Sequence, residues 1–149
     1  MNKSYFLDKH GLFIEDLLIG QSESFEKKIT DNDIKIFSEI TGDKNPVHID
    51  EKFAKETIFK KRITHGFLTG SLISTVIATK LPGPGSVYLK QDIKFLAPVF
   101  IGDTVKAQVT VLEIMIEKKK VKLTTECFVL EKKVLEGSAE ILVSSKSDL

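Results

Sequence analysis

Between Ile63 and Thr79 the chain runs seventeen residues without a formal charge, although 29% of all its residues are Asp, Glu, Lys or Arg. Such a run is short for a membrane span, and His65, Gly66, Thr69, Gly70, Ser71, Ser74 and Thr75 make it too polar for one. It reads as a helix opening near Gly66, ending before Leu81, Pro82 and Gly83, and buried on nearly all sides inside the protein.

What surrounds that helix is written downstream. Val87, Leu89, Gln91, Ile93 and Phe95 alternate with Tyr88, Lys90, Asp92 and Lys94, the period of a strand with one dry face. Three further strands follow on the same logic, through Val105 to Val111, Val121 to Val129, and Ala139 to Val143. Their connections, Leu112 to Lys120 and Glu131 to Gly137, are short enough for hairpins, with Lys118, Lys119 and Lys120 as a solvated hairpin end. The expected architecture is therefore α+β, an antiparallel sheet wrapped around one long helix.

Upstream, Phe25, Lys27 and Ile29 share the phase of an edge strand. Thr30 followed by Asp33 forms a capping pattern, and Ile34, Phe37 and Ile40 recur at helical spacing, so a short helix spans about Asp31 to Thr41 and stops at Gly42. Gly42 to Pro46 reads as irregular, and a second short helix starts near Asp50. A length of 149 residues suits one domain, 1–149, with its core at about 14–143 and a polar tail, 144–149, expected to fray.

Twenty-two Lys and Arg against twenty-one Asp and Glu give a net charge of +1, without the basic field that nucleic-acid binding needs. A small-molecule or protein partner is expected, with no nucleic acid and no membrane. The single cysteine, Cys127, can form neither an internal disulfide nor a CxxC pair, which points to a reducing compartment, the cytoplasm.

Chemistry concentrates in two segments, GDKNPVHID (Gly42 to Asp50) and THGF (Thr64 to Phe67). Asp43 and His48 lie five positions apart across a proline-containing turn, which lets a carboxylate and an imidazole converge on one water. Histidine titrates near neutrality while aspartate stays ionised, so the pair can take and return protons at physiological pH. Gly66, at the start of the uncharged helix, offers a backbone N–H without an intrahelical partner and with the helix dipole behind it. That donor suits a carbonyl oxygen gaining negative charge. Together these groups fit addition or elimination of water beside a carbonyl, or acyl transfer to water. The alternatives are that Asp43 and Asn45 are ordinary turn residues, that His48 is a core or capping histidine, and that His65 only shapes the start of the helix. No HxxxH or HExxH spacing supports a metal, so none is expected.

The runs FSEITGDKNPVHID (Phe37 to Asp50), FAKETIF (Phe53 to Phe59), RITHGFLTGSLIS (Arg62 to Ser74) and LPGPGSVYLKQDIKFLAPVFIGD (Leu81 to Asp103) resemble the MaoC-like (R)-specific enoyl-CoA hydratases. The resemblance spans roughly Ile14 to Val143 and implies the hot-dog fold. It implies Asp43 and His48 as the catalytic pair, Asn45 as the residue shaping their loop, and Gly66 as donor to the thioester oxygen. Ser74 and His65 take supporting places, and Phe67 stands where methionine is frequent, at the substrate. The implied reaction is reversible hydration of trans-2-enoyl-CoA to (R)-3-hydroxyacyl-CoA with no cofactor, CoA or an acyl carrier being part of the substrate. A homodimer with sheets joined edge to edge is implied as well. Lys60, Lys61 and Arg62 are candidates for meeting the CoA phosphates. Rival readings are a 3-hydroxyacyl-carrier-protein dehydratase, a hot-dog thioesterase, and a non-catalytic thioester-binding subunit.

Overall fold

A computed structural model describes residues 3–149. Helix α1, Lys3–Lys9, precedes strand β1, Ser22–Lys28, and then helix α2, Asp31–Thr41. Thr30 and Asp33 cap α2 reciprocally: the Thr30 hydroxyl accepts from the Asp33 N–H, and the Asp33 carboxylate accepts from the Thr30 N–H. Gly42 closes α2 in the left-handed region at φ 77°, a conformation that costs glycine nothing. Helix α3 is one turn, Pro46–Ile49, with Pro46 at its first position, so the irregular segment ends one residue earlier than expected. Helix α4, Glu51–Glu56, starts where the Asp50 carboxylate accepts from the Lys52 and Phe53 N–H groups.

The long helix α5, Gly66–Thr79, follows, then strands β2, Val87–Phe95, β3, Thr104–Met115, β4, Lys120–Val129, and β5, Lys132–Leu142. All pairings are antiparallel, in the order β1-β3-β4-β5-β2. The β4–β5 turn is only Leu130 and Glu131, so β5 begins earlier than its sequence suggested. Leu72, Ile73, Val76 and Ile77 of α5 pack onto Val105, Val109, Leu123 and Leu135 of the sheet, all buried. Each such side chain contributes about 1.5–3 kcal/mol by leaving water. A five-stranded antiparallel sheet laid against one long helix is the hot-dog arrangement, and it confirms the α+β expectation.

Four expectations are corrected. Helix α5 is not buried on nearly all sides: Phe67, Ser71, Ser74 and Ala78 form an exposed stripe along it. The phase of β2 expected to be dry is open, with Val87, Leu89 and Phe95 exposed, because β2 is an edge strand. The buried face of α2 runs through Ile34 and Ser38, while Ile40 is 79% exposed. The C-terminal tail does not fray. Its Lys146 N–H donates to Glu15 (3.1 Å), its Ser144 carbonyl accepts from the Ile14 N–H, and Lys119 and Asp16 form ion pairs with Asp148 and Lys146. Among the described residues, no helix is long and apolar enough to cross a membrane.

Candidate active site

The loop between α2 and α3 is built from short polar side chains that bond their own backbone. Asp43 Oδ1 accepts from the Asn45 N–H (3.3 Å), and Asn45 Oδ1 accepts in turn from the Val47 N–H (3.2 Å), starting α3. These successive turns bring His48 back beside Asp43, and Asn45 is the residue that links them. A ring nitrogen of His48, a ring nitrogen of His65 and a carboxylate oxygen of Asp43 all lie within 4.8 Å of one another.

His48 is buried, and its Nδ1 sits 2.8 Å from the Ile63 carbonyl oxygen. A carbonyl can only accept, so Nδ1 carries the proton and Nε2 keeps a lone pair available as a base. Burial is the main cause that pushes the His48 pKa below its ordinary value of 6.5. The bond to Ile63 and the Asp43 charge oppose that shift, and His65 adds to it. His48 therefore stands neutral at neutral pH.

His65 immediately precedes α5, its side chain making no bond to the helix's first N–H groups, and is only 1% exposed. Its ring stacks on His48 with centroids 3.9 Å apart and packs against Phe37 at 4.9 Å. Its Nε2–H donates to the Asp43 carbonyl (3.0 Å), with the Ser38 hydroxyl at 3.2 Å. The stack holds the two imidazoles in roughly parallel planes, 28° apart, so their in-plane lone pairs do not converge on a shared cation. His65 instead ties the loop bearing Asp43 to the start of α5.

Gly66 is the first residue of α5 and lines a cleft of about 440 Å³ together with His48, Phe67, Phe95, Val99 and Val134. Its lack of a side chain makes room for the Phe95 ring: a Cβ there would lie 2.6 Å from Phe95 Cε1, where the ring now rests. The cleft thus has a neutral imidazole, a backbone N–H at a helix N-terminus, and otherwise mainly apolar walls. That combination suits a hydrophobic acyl chain whose carbonyl end reaches a base and an anion-stabilising donor.

The remaining sequence candidates are placed differently. Phe67 lines the cleft, 71% exposed, edge-on to Phe95 with centroids 6.0 Å apart. Ser74 lies two turns further along α5, on its exposed stripe and away from the cleft lining. Lys61 rests its ammonium 4.1 Å from the centre of the Phe100 ring, and Arg62 is held by Asp31 and the His48 carbonyl. Of that basic triplet, Lys60 has the one side chain that bonds to nothing among the described residues. Ser38 was missed by sequence reasoning. Its signal was a hydroxyl four residues after Ile34 on the apolar face of α2. Gln91, on the β2 phase that the sequence suggested would be dry, is satisfied: its Nε2–H groups donate to the Asp92 carbonyl and Thr125 Oγ1.

Comparison with known proteins places this arrangement. The family model described as MaoC like domain matches residues 17–133. An (R)-specific enoyl-CoA hydratase of Rhodospirillum rubrum is 47% identical over 134 residues, covering 90% of this chain and 93% of that protein. A 3-hydroxybutyryl-CoA dehydratase of Methylorubrum extorquens is 45% identical over 137 residues, covering 92% and 87%. Among solved structures, the unliganded R-hydratase PhaJ1 from Pseudomonas aeruginosa superposes with a TM-score of 0.86 at 40% identity, covering 92% of this chain and 88% of that one. With its fold, its motif loop and its sequence in agreement, the chain belongs to the MaoC-like dehydratase family.

Proposed function

We propose that this chain is an (R)-specific enoyl-CoA hydratase, a hydro-lyase that adds water reversibly to trans-2-enoyl-CoA. The observation that carries the reading is the convergence of Asp43 with a neutral, tautomer-fixed His48, which itself lines a cleft together with Gly66. Water held between the Asp43 carboxylate and His48 Nε2 attacks the β-carbon of the enoyl thioester. The pair removes a proton from that water as the C–O bond forms. Electron density moves onto the thioester oxygen, where the Gly66 N–H and the α5 dipole stabilise the enolate. Return of a proton to the α-carbon completes the addition, so no redox change occurs and all atoms of water end in the product.

The apolar walls at Phe67, Phe95, Val99 and Val134 receive the acyl chain, and of the triplet Lys60, Lys61 and Arg62 it is Lys60 that is left to meet the CoA phosphates. The same reading includes a homodimer. β2 is an unpaired sheet edge, and Val87, Leu89, Phe95 and Leu96 on or beside it are exposed next to the open stripe of α5. A second copy pairing along β2 covers both and closes the cleft further. Light scattering after size exclusion is expected to give twice the chain mass, and a stable monomer removes this part of the proposal.

The activity is tested with crotonyl-CoA by loss of the conjugated thioester absorbance. Asp43→Asn and His48→Gln should each lower kcat by about 10²-fold or more while the fold persists. Rates near wild type in both variants would end the assignment of the pair.

A further inference from the structure

We infer that Arg62 is a positioning residue that clamps the backbone of His48 and thereby aims its imidazole, and that it is not a phosphate anchor. The inference rests on the hydratase reading above. Its basis is the way α3 is held. A single helical turn cannot stand alone, because nucleation is unfavourable and its last carbonyls have no partner inside the helix. Here those carbonyls are taken by the segment that leads into α5. The Ile63 N–H donates to the Val47 carbonyl (3.3 Å), and Arg62 Nε–H donates to the His48 carbonyl (2.7 Å). The next contact runs the other way, from His48 Nδ1–H to the Ile63 carbonyl (2.8 Å). Two consecutive residues, Arg62 and Ile63, therefore grip His48 by both its backbone and its ring.

Ile63 is itself fixed by an isolated bridge to Phe100 in the segment between β2 and β3, and the following Thr64 N–H donates to the Val99 carbonyl of the same segment (2.7 Å). Arg62 is fixed by its other prong. Its Nη2–H donates to Asp31 Oδ1 at 2.7 Å, and Asp31, the first residue of α2, also pairs with Lys35 at 2.7 Å. Lys35 and Arg62, in that order, hold the Asp31 carboxyl below its usual range, so the anchor is ionised. The guanidinium ties the start of α2, at Asp31, to His48 in α3, using the planar fork that only arginine has. Its side chain is 15% exposed and its charge is matched by Asp31, which leaves it poorly placed to meet a phosphate.

The test compares wild type with Arg62→Lys and Asp31→Ala, measuring kcat and KM for crotonyl-CoA and the His48 tautomer by long-range ¹H–¹⁵N correlation. Lysine keeps the charge but replaces the two fixed, coplanar donor nitrogens with one rotatable ammonium on a flexible stem, so Arg62→Lys should lower kcat by about 10- to 100-fold with KM within about threefold, as expected for a misaimed base. The Nδ1–H form of His48 should give way to a mixture of tautomers. Asp31→Ala, at a half-exposed position, should shift kcat and the tautomer the same way by a smaller amount, and it decides the matter if Arg62→Lys fails to fold. Unchanged kcat and tautomer, or a raised KM with kcat intact, would overturn the inference and return Arg62 to the phosphate. An inactive wild type sinks the hydratase reading instead, and the tautomer measurement still tests the clamp.

Discussion

Replacing Gly66 by alanine should separate activity from stability. The new methyl would lie 2.6 Å from Cε1, 2.9 Å from Cζ and 3.1 Å from Cδ1 of Phe95. Carbon atoms rest at about 3.5–4.0 Å, so the ring must retreat by roughly 1 Å. Phe95 is 50% exposed on an edge strand and can turn away without moving the backbone. Gly66 is helical and its φ is one that any residue adopts, and alanine favours a helix over glycine by up to about 1 kcal/mol. The net change in stability should therefore stay within about 1 kcal/mol, a few degrees in Tm. Catalysis should fare otherwise. The methyl intrudes into the cleft beside the N–H that receives the thioester oxygen, and a displacement near 1 Å costs on the order of 10² in rate. Initial rates on crotonyl-CoA over a range of concentrations, with thermal melts of the same preparations, give both numbers. Turnover within threefold of wild type would refute the placement of the thioester oxygen at Gly66. Loss of the folded state would refute the steric reasoning.

Three further outcomes follow from single contacts. Because burial holds the folded-state pKa of His48 below 6.5, the unfolded chain takes up this proton first as pH falls. This contribution to stability is complete above about pH 6.5 and is lost as pH drops toward the folded-state pKa. Urea melts between neutral and mildly acidic pH should show it, and His48→Gln should flatten that part of the curve. Burial pushes the Cys127 thiol up to about 12 and the side chain is fully buried, so Ellman's reagent should leave it untouched in the native protein and label it fully in denaturant. Gly137→Ala would place a methyl 1.9 Å from the Asp92 carbonyl oxygen, across the β2–β5 pairing. Since that obstacle is backbone, β2 must shift, and urea denaturation should show a loss of about 1–3 kcal/mol.

The parts of the fold that depend on near neighbours were legible in the chain. The Thr30 and Asp33 box starts α2 where its spacing says, and Gly42 ends it. The alternation from Val105 to Val111 and from Val121 to Cys127 maps onto one buried face of β3 and β4. The meeting of Asp43 with His48 was legible for the same reason, since the turn between them is made from the side chains of Asp43 and Asn45. What failed depended on distant partners. An uncharged helix and an alternating strand look alike whether their apolar face meets this chain's own core or is left open beside an edge strand, which is how α5 and β2 misled. Arg62 looked like part of a surface cluster because Asp31, its counter-charge, comes from another helix. The polar tail looked loose because Glu15 and Asp16, which bind it, lie at the other end of the sequence.

The central claim is tested most directly by the product itself. The purified chain, incubated with crotonyl-CoA and water, should yield 3-hydroxybutyryl-CoA of the R configuration, resolved on a chiral column after hydrolysis of the thioester, with no free thiol released during turnover. An S product, release of free CoA, or the absence of any hydrated product would contradict it.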